Sequence, residues 1–587
     1  MVLKGLKRHA EIIIVIFIFS IAFIMRVWGS QFALPVLYNV DEAQMVSAAV
    51  RFGTGDLNPH SFIYPSLFKY VLFVAYGIYF IGGSVLGKFS SLIEFRYLYF
   101  NDPSVFYHIG RIISALAGSL TVLAVYFLGK KTYSKKVGFI AAIFFSFGSL
   151  HLLYSQVALS DVTMVFFATL SLYFMIRVSR ERYVKNYVLA GIFGGLAIST
   201  KYNGVFLLIP LFVAHFFGIF GDRNRLGPVK QLQIDKLALG YLFVVVFFFV
   251  GTPFALLDFR TFLQDLHFQS VVITHSCDSI WAFFSSSASY ISKLFLPHTL
   301  NWDTNYVGML AVIGIIFAFF RHTKDDFILL SFVLVHFVFF TYKTSVAFVK
   351  SHYMLPIFPF VYVLVARLIV EGIEKIKFDV KKRNYVIAFV VCLFVWPSMR
   401  YNVLYHNAKS RKDTTTLARE WIEDNVPPNS KILCTDIHGI GLKENEESLI
   451  RYASTEEVAK DKIEARQFYR GKTYFIEYLT PGWGFITDEQ AGRLDTLPEG
   501  ISLVDRDKVS IEYWRNLDFD YAIVMPNRVR IYLSEEGRKK YPHFHKFFRE
   551  LISEYRAVKE FTPIPLRRLG HVVQIYSLKE KVLTAQQ

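Results

Sequence analysis

The sequence has little cysteine and lacks the common nucleotide-binding motifs. Its 587 residues include three cysteines, Cys277, Cys392 and Cys434, with no CxxC pair and no Cys/His cluster at metal-ligand spacing. Neither a disulfide framework nor a zinc site is therefore indicated. No GxGxxG sequence opens a βαβ unit and no P-loop is present, so the signatures of dinucleotide-binding and P-loop proteins are missing. Tandem repeats and low-complexity tracts are also absent.

Long apolar runs dominate the first 400 residues. The mean hydropathy is +0.37, 53% of the residues are hydrophobic, and runs of about 15 to 22 apolar residues are long enough to cross a bilayer. The first run, residues 11–28, follows three basic residues as in a signal peptide, but no small-residue cleavage site follows, so we predict a retained first helix. The net charge of +17 comes largely from short turns between runs, which indicates membrane orientation and not a nucleic-acid surface.

The apolar runs predict eleven membrane crossings. They lie at residues 11–28, 109–129, 137–153, 162–177, 186–200, 203–220, 237–254, 305–320, 327–342, 353–371 and 385–400. With the N-terminus in the cytoplasm, the cytoplasmic connections all carry Lys or Arg: residues 130–136, 177–186, 221–236, 321–326 and 374–384. This is the charge bias expected of inner loops. We therefore predict a polytopic α-helical protein of the plasma or inner membrane.

The apolar segment 67–86 determines which residues share a face of the membrane. If it crossed alone, most basic turns would lie outside, and Asp41 and Asp161 would fall on opposite sides. The charge pattern favours a segment that lies at the interface, re-enters, or crosses with a partner in residues 88–108. Asp41, Asp161 and the C-terminal third then share the outer face.

Residues 401–587 form a separate domain, following the transmembrane domain of residues 1–400. The composition becomes mixed in charge after Arg400, and residues 413–426 have helical apolar spacing with Asp413 as N-cap. Runs typical of β-strands follow at residues 431–436, 520–526 and 571–578, which predicts a small soluble α/β domain on the outer side. A basic amphipathic segment, residues 541–556, is expected to pack within this domain, with contact to acceptor or lipid headgroups as the alternative.

Acidic residues near helix ends are the candidates for chemistry. Asp41 and Glu42 open a short amphipathic segment after the first span, and Asp161 lies in a tight turn between two apolar runs. Helix capping alone would account for each of them, although an acidic residue at a short membrane turn is costly unless it is hydrated or paired.

Cationic residues are predicted on the same face. Arg111 lies just inside the second span, Lys201 in the break STKYNG, and Lys350 and His352 before YMLPIFP. Each alone would be expected to extend toward the interface, but as a set they suggest a phosphate pocket.

Several motifs, in order, resemble the superfamily of dolichyl-phosphate-mannose protein mannosyltransferases and aminoarabinose transferases. They are the DE pair after the first helix, NPHSFIYPSL, GRIISALAGSLTVLAVYFLGKK, YSQVALSDV, GIFGGLAISTKYNG, GTPFALLDFRTFLQDL, KSHYMLPIFP and TLAREWIEDNVPPNSKIL. The resemblance covers nearly the whole chain. It implies a GT-C architecture and a polyprenyl-phosphate sugar donor used on the outer face of the membrane.

The resemblance also implies roles for individual residues. Asp41 matches the catalytic acidic position, Glu42 completes its motif, and Asp161 matches a second acidic position. The implied substrate-binding residues are Arg111, Lys201, Lys350, His352 and Tyr353. The chain departs from the aminoarabinose transferases at residues 64–66, where they have an acidic-basic pair followed by two prolines, and at His352, where many relatives have Arg.

The expected reaction is inverting transfer of mannose or a similar hexose or pentose to a hydroxyl of a protein, lipid or glycan. Asp41 would accept the hydroxyl proton, and cations would stabilise the leaving phosphate. No cofactor is assigned; a divalent metal is an open option, because carboxylates on one face can hold such an ion, although no complete ligand set is apparent. Two alternatives are a secondary transporter, which would place its ionisable groups near the midplane, and a non-catalytic assembly protein.

Overall fold

The computed structural model describes residues 2–220, 232–272, 277–295, 306–344, 350–435, 439–452, 456–479 and 509–581. Most of the predicted basic turn 221–236 and part of the predicted outer loop 255–304 lie outside these residues. The described chain separates into two compact units. Unit 1 comprises residues 1–30, 41–78 and 107–406, and unit 2 comprises residues 31–40, 79–106 and 407–587.

Helices account for all regular structure up to residue 409. They are α1 (Val2–Val27), α2 (Asp41–Arg51), α3 (Leu67–Val85), α4 (Leu92–Asn101), α5 (Ser104–Thr132), α6 (Lys135–Phe147), α7 (Ser149–Tyr154), α8 (Ser160–Glu181), α9 (Val184–Thr200), α10 (Leu208–Phe220), α11 (Ile234–Gly251), α12 (Phe254–Leu257), α13 (Phe259–Val272), α14 (Ile280–Phe295), α15 (Tyr306–Arg321), α16 (Lys324–Lys343), α17 (Phe358–Glu374) and α18 (Val380–Lys409). Short 3₁₀ helices cover Phe52–Thr54, Tyr202–Leu207 and Ser351–Ile357.

Unit 1 has the helices of a polytopic membrane protein. Nine helices within the described residues are long and apolar enough to span a bilayer, and eight of them coincide with predicted crossings. The ninth is Leu67–Val85. The other three predicted crossings fall on shorter helices: α6 with α7, α9, and α15. The predicted crossing 137–153 is interrupted at Gly148, where the backbone is extended (φ −64°, ψ 105°).

Close helix packing in unit 1 depends on small residues. A Cβ at Gly191 of α9 would lie 2.3 Å from the carbonyl oxygen of Gly240 in α11, and one at Gly195 would lie 2.4 Å from that of Val244. Both distances are far below van der Waals contact, so only glycine permits this approach. The spacing of four residues is the small-residue pattern found where membrane helices pack backbone to backbone.

Unit 2 contains a five-stranded mixed sheet. Its further elements are α19 (Thr414–Asn425), β1 (Lys431–Cys434), α20 (Glu446–Tyr452), α21 (Glu456–Arg466), β2 (Phe475–Tyr478), α22 (Ile511–Asn516), β3 (Tyr521–Val524), α23 (Pro526–Leu533), α24 (Glu535–Lys540), α25 (Pro542–Glu554), β4 (Tyr555–Phe561) and β5 (Val573–Lys581). The strand order is β2-β1-β3-β5-β4, with the first three strands parallel and β5 antiparallel to both neighbours. The predicted α/β domain is confirmed in fold class.

The division between the units differs in detail from the predicted boundary at residue 400. That position lies inside α18, and the division follows residue 406. Residues 31–40 and 79–106 also belong to unit 2, because they pack with residues distant in sequence. One example is Tyr38, whose hydroxyl donates to Asp413 Oδ2 at 2.7 Å. Asp413 is the N-cap of α19, accepting from the backbone N–H of Thr415 and Thr416.

Candidate active site

A buried ion pair anchors the start of α2. The first turn of α2 carries Asp41 and Glu42, where negative charge is favoured by the helix dipole. Glu42 is 1% exposed and Arg111 of α5 is 5% exposed. Arg111 Nε and Nη2 donate to the two carboxylate oxygens of Glu42 at 2.8 and 2.9 Å. This bidentate geometry is the strongest form of Arg–carboxylate pairing.

The same ion pair holds two other segments. Glu42 Oε1 also accepts from the backbone N–H of Ala158 at 2.8 Å, and Arg111 Nη1 donates to the carbonyl of Ser30 at 2.8 Å. Glu42 and Arg111 thus connect α2 and α5 with the segment that leads into α8. Their polar atoms are engaged with one another and with backbone groups.

Asp161 forms an ion pair instead of capping α8. The helix begins at Ser160, and its N-cap residue Leu159 makes no side-chain cap hydrogen bond. Asp161, 6% exposed, accepts from Lys201 Nζ. Lys201 lies in extended conformation at the end of α9, within the predicted break between two helices. The structure therefore shows Asp161 paired with a cation, and the capping interpretation is wrong for this residue.

Cations and aromatic rings surround this pair. Lys201 Nζ lies 5.8 Å and Lys350 Nζ 6.0 Å from the centroid of the Tyr353 ring, within the range of cation–π attraction. The ring of His352 lies 4.6 Å from that of Tyr353 and 5.3 Å from that of Tyr154. Lys350 is exposed and makes no ion pair with the described part of the chain.

Tyr64 is hydrogen-bonded to Asp41 and lies within electrostatic range of Asp161. The backbone before α3 is held by buried Lys69, whose Nζ donates to the carbonyls of Ser61 and Tyr64 at 3.0 and 3.1 Å. Burial, with the charges of Asp41 and Asp161, raises the pKa of Tyr64, whose hydroxyl is hydrogen-bonded to Asp41. The hydroxyl therefore stays protonated and donates a hydrogen bond to the Asp41 carboxylate. We call Asp41, Tyr64, Asp161, Lys201 and Tyr353 the site cluster.

Contacts within unit 1 lie on both sides of the stretch formed by α3 and α4. Before α3, the backbone N–H of Ser66 donates to Thr252 Oγ1 at 3.3 Å, at the end of α11. After α4, a Cβ at Gly110 would lie 3.2 Å from Leu72 Cδ2 and 2.7 Å from Ala158 Cβ. Ser66 and Gly110, on either side of α3 and α4, thus both pack within unit 1. α3 has 19 residues and is long enough to span a bilayer, whereas α4 has 10 and is not. That segment 67–86 adds no net crossing between Asp41 and Asp161 stays a prediction.

Buried polar contacts from α1 position the segment before Asp161. Arg26, fully buried, donates to the carbonyls of Phe145 and Ser146 at 3.4 Å each, at the end of α6. Gln156 Nε2 donates to the carbonyls of Met25 and Trp28 at 3.2 and 2.7 Å. The Arg26 bonds satisfy carbonyls that the break between α6 and α7 would otherwise leave unpaired, and the Gln156 bonds satisfy carbonyls at the end of α1.

The described residues of the site provide no complete protein ligand set for a divalent metal. Within the described ranges, no three His, Cys, Asp or Glu side chains group closely enough to hold a metal ion. Glu42 and Asp161 each already have a cationic partner. A divalent ion needs several oxygen ligands that are not neutralised in this way.

The sequence identified most, but not all, of these residues. All eight predicted site residues lie in unit 1: Asp41, Glu42, Arg111, Asp161, Lys201, Lys350, His352 and Tyr353. Sequence reasoning missed Tyr64, Tyr154 and Arg26. An arginine inside the first apolar run was the available signal for Arg26, because a charge there needs a partner.

Comparisons with known proteins agree with this architecture. The family model for dolichyl-phosphate-mannose-protein mannosyltransferase matches residues 16–272, less than half of the 587 residues. That range contains Asp41, Tyr64, Arg111, Asp161 and Lys201. No curated protein sequence matches the chain.

Two solved structures of ArnT share the fold over nearly the whole chain. ArnT from Cupriavidus metallidurans in the apo state is 12% identical with a TM-score of 0.51, covering 96% of this chain and 97% of that one. ArnT bound to undecaprenyl phosphate is 13% identical with a TM-score of 0.50, covering 97% and 98%. The archaeal oligosaccharyltransferase AglB from Archaeoglobus fulgidus, solved with an inhibitory peptide and a dolichol-phosphate, is 12% identical with a TM-score of 0.48, covering 96% and 74%.

These findings confirm the predicted fold class, a polytopic helical membrane protein with a small C-terminal sheet domain. The chain has the GT-C-type fold of ArnT, and its residues 16–272 resemble the dolichyl-phosphate-mannose-protein mannosyltransferases, a family of glycosyltransferases.

Proposed function

We propose that this protein is a membrane glycosyltransferase that moves a sugar from a polyprenyl-phosphate donor to a hydroxyl acceptor, with inversion at the anomeric carbon. The observation that carries the proposal is the site cluster, a carboxylate hydrogen-bonded to a tyrosine beside an acid–lysine ion pair, together with the exposed Lys350 at its Tyr353 ring. The similarity of residues 16–272 to the mannosyltransferase family, and the fold shared with a protein solved with undecaprenyl phosphate, support a lipid-linked donor.

Asp41 is the best-placed general base of the three carboxylates. Glu42 accepts three hydrogen bonds and is 1% exposed, and Asp161 is 6% exposed and paired with Lys201. Asp41 is only partly buried, so a substrate hydroxyl can approach it. The Tyr64 hydroxyl orients its carboxylate by donating a hydrogen bond. A positioned base of this kind contributes about 10²–10⁴ in rate.

Lys350 is the candidate cation for the leaving phosphate. Lys201 is already neutralised by Asp161, whereas Lys350 is exposed and lies beside the same aromatic ring, that of Tyr353. A cation placed where charge develops lowers the barrier more than one that is already paired. We assign Asp161 the role of positioning Lys201. We assign Glu42 and Arg111 the role of holding the segments that carry Asp41 and Asp161.

The proposed step is a single displacement. The acceptor oxygen forms a bond to the anomeric carbon as its proton passes to Asp41, and the bond from that carbon to the phosphate oxygen breaks. The phosphate leaves with the bonding electron pair and needs no proton. No covalent enzyme intermediate forms, so the configuration inverts. We place this reaction at the outer membrane face, with a protein, lipid or glycan hydroxyl as acceptor.

Replacing Asp41 by Asn tests the assignment of the base. We expect Asp41→Asn to reduce release of polyprenyl phosphate from undecaprenyl- or dolichyl-phosphate carrying labelled mannose or aminoarabinose by about 10²-fold or more. The matched control is Asp56→Asn, since Asp56 is exposed, 54% by side chain, and precedes the same loop. Both variants should have the same melting temperature as the wild type in detergent.

Two results would contradict the proposal. Wild-type turnover by Asp41→Asn would remove Asp41 as the base. Failure of the wild-type protein to release polyprenyl phosphate from any of these donors, with every hydroxyl acceptor class supplied, would argue for the transporter or the non-catalytic alternative.

A further inference from the structure

Unit 2 contains a polar cleft that the proposed reaction does not use. Its volume is about 370 Å³, and Ile463 is the one apolar residue among those that line it in the described part of the chain. The polar side chains relevant to binding are those of Asn429, Asn445, Glu447, Arg466, Gln467 and Thr473. Seven of the eight residues that line the cleft have hydrogen-bonding side chains, which is unusual, because ligand sites are mostly apolar.

Loop geometry fixes the two asparagines at the cleft. Asn429 has φ +63°, a left-handed conformation that asparagine tolerates better than most residues, and its backbone N–H donates to the carbonyl of Thr473 at 2.8 Å. The backbone N–H of Asn445 donates to the carbonyl of Tyr474 at 2.8 Å, and its Oδ1 caps α20 by accepting from Ser448 N at 3.1 Å. Both amide groups are therefore held on rigid backbone.

Arg466 forms the rigid floor of this surface. Its side chain is 11% exposed, Nη1 donates to Asn101 Oδ1 at 3.2 Å, and Nη2 lies 3.7 Å from Glu444 Oε2. Its guanidinium also lies 5.3 Å from the centroid of the Tyr469 ring. These contacts immobilise a side chain that normally loses considerable rotamer entropy when it is ordered. A ligand would meet a preorganised donor.

The chemistry of the lining excludes several ligand classes. A peptide needs an apolar pocket for an anchoring side chain, and Ile463 alone does not form one. Nucleic acid or an acidic lipid needs an excess of positive charge, whereas Glu446 and Glu447 at the lip outnumber Arg466. A divalent cation is disfavoured because no metal-holding group is found among the described residues. What remains is a neutral ligand rich in both hydrogen-bond donors and acceptors.

We propose that this cleft binds a neutral saccharide. Each sugar hydroxyl both donates and accepts, and the cleft offers amides that do both, carboxylates that accept and a guanidinium that donates. Adjacent ring hydroxyls can be bridged by one planar amide or carboxylate group. The site lies wholly within unit 2 and would hold a glycan, so the proposal adds a second sugar-binding site to the protein.

The test measures direct binding of mannose, glucose, galactose and N-acetylglucosamine to the full chain in detergent. Saturation-transfer NMR detects the bound sugar. Asn429→Gly keeps the left-handed backbone while deleting one amide, and Gln467→Ala removes another from a helix end. The matched control is Lys460→Ala, an exposed residue of the same helix, α21. Melting curves establish that each variant is folded.

We expect at least one saccharide to bind, with each cleft variant weakening its affinity about two- to tenfold, the effect of one lost hydrogen bond, and no change in the control. Absence of binding by all four sugars at tens of millimolar would overturn the proposal. So would binding that both cleft variants leave unchanged, because the sugar would then occupy another site. The readout does not depend on catalysis, so failure here is separate from failure of the Asp41 experiment.

Discussion

Replacing Glu42 by Gln tests whether the ion pair beneath Asp41 is structural. Glu42 accepts from Arg111 Nε and Nη2 at 2.8 and 2.9 Å and from Ala158 N at 2.8 Å, with both side chains buried. The amide has the same volume, so no cavity forms. It leaves the Arg111 charge without a counter-charge and points an NH₂ donor at a guanidinium donor. Breaking one partner of a buried ion pair costs about 3–5 kcal/mol.

The expected loss is therefore about 3–5 kcal/mol in the free energy of unfolding, measured by titrating the protein in mixed micelles with a denaturing detergent and following tryptophan fluorescence. The control Asp56→Asn should stay within about 0.5 kcal/mol of the wild type, as exposed substitutions do. An unfolding free energy of Glu42→Gln within about 1 kcal/mol of wild type would refute the structural role, given the usual cost of an unpaired buried charge.

A double replacement separates charge from packing. Glu42→Leu with Arg111→Met removes both charges together, and well-packed apolar replacements of buried ion pairs are often neutral. The backbone N–H of Ala158 loses its acceptor, at a cost of about 1–3 kcal/mol. The double variant should thus be more stable than either single variant. A loss equal to the sum of the two single losses would show that the residues act independently.

Two further predictions follow from the geometry of unit 1. Lys350→Ala should lower kcat/KM for the lipid-linked donor about 10²-fold, because a group that stabilises transition-state charge is lost. Lys350→Arg keeps the charge and should retain most of the activity. Equal losses in the two variants would argue against a charge effect. In a cysteine-free background of intact cells, Asp56→Cys should react with an impermeant maleimide. Lys136→Cys should react only after lysis, because Lys136 is 44% exposed in the first turn of α6, which follows the end of α5 opposite Arg111. The reverse pattern would invert the proposed sidedness.

The fold was predictable where the signal is local. Apolar runs located eight of the nine long helices within the described residues, and Asp413 was identifiable as an N-cap because its partners are the next residues along the chain. The three sheet strands that were predicted, β1, β3 and β5, lie inside the sheet. The two that were missed, β2 and β4, are its edges. β4 is mostly exposed, and Arg556, Lys559 and Glu560 interrupt its apolar residues, so it lacks a continuous apolar run. β2 is buried at three of its four residues and was missed despite that burial.

The candidate site was predictable as a set of residues but not as a set of pairs. Local sequence shows that Asp161 is an acid at a membrane turn, and it cannot show that Lys201, 40 residues later, neutralises it. The same holds for Glu42, whose cationic partner is 69 residues away. Pairing decides which acid is chemically available, because a carboxylate saturated by hydrogen bonds is a weak base. Among these three acids, Asp41 alone is partly exposed, whereas Glu42 and Asp161 are buried, and that distinction depends on how α2, α5 and α8 pack.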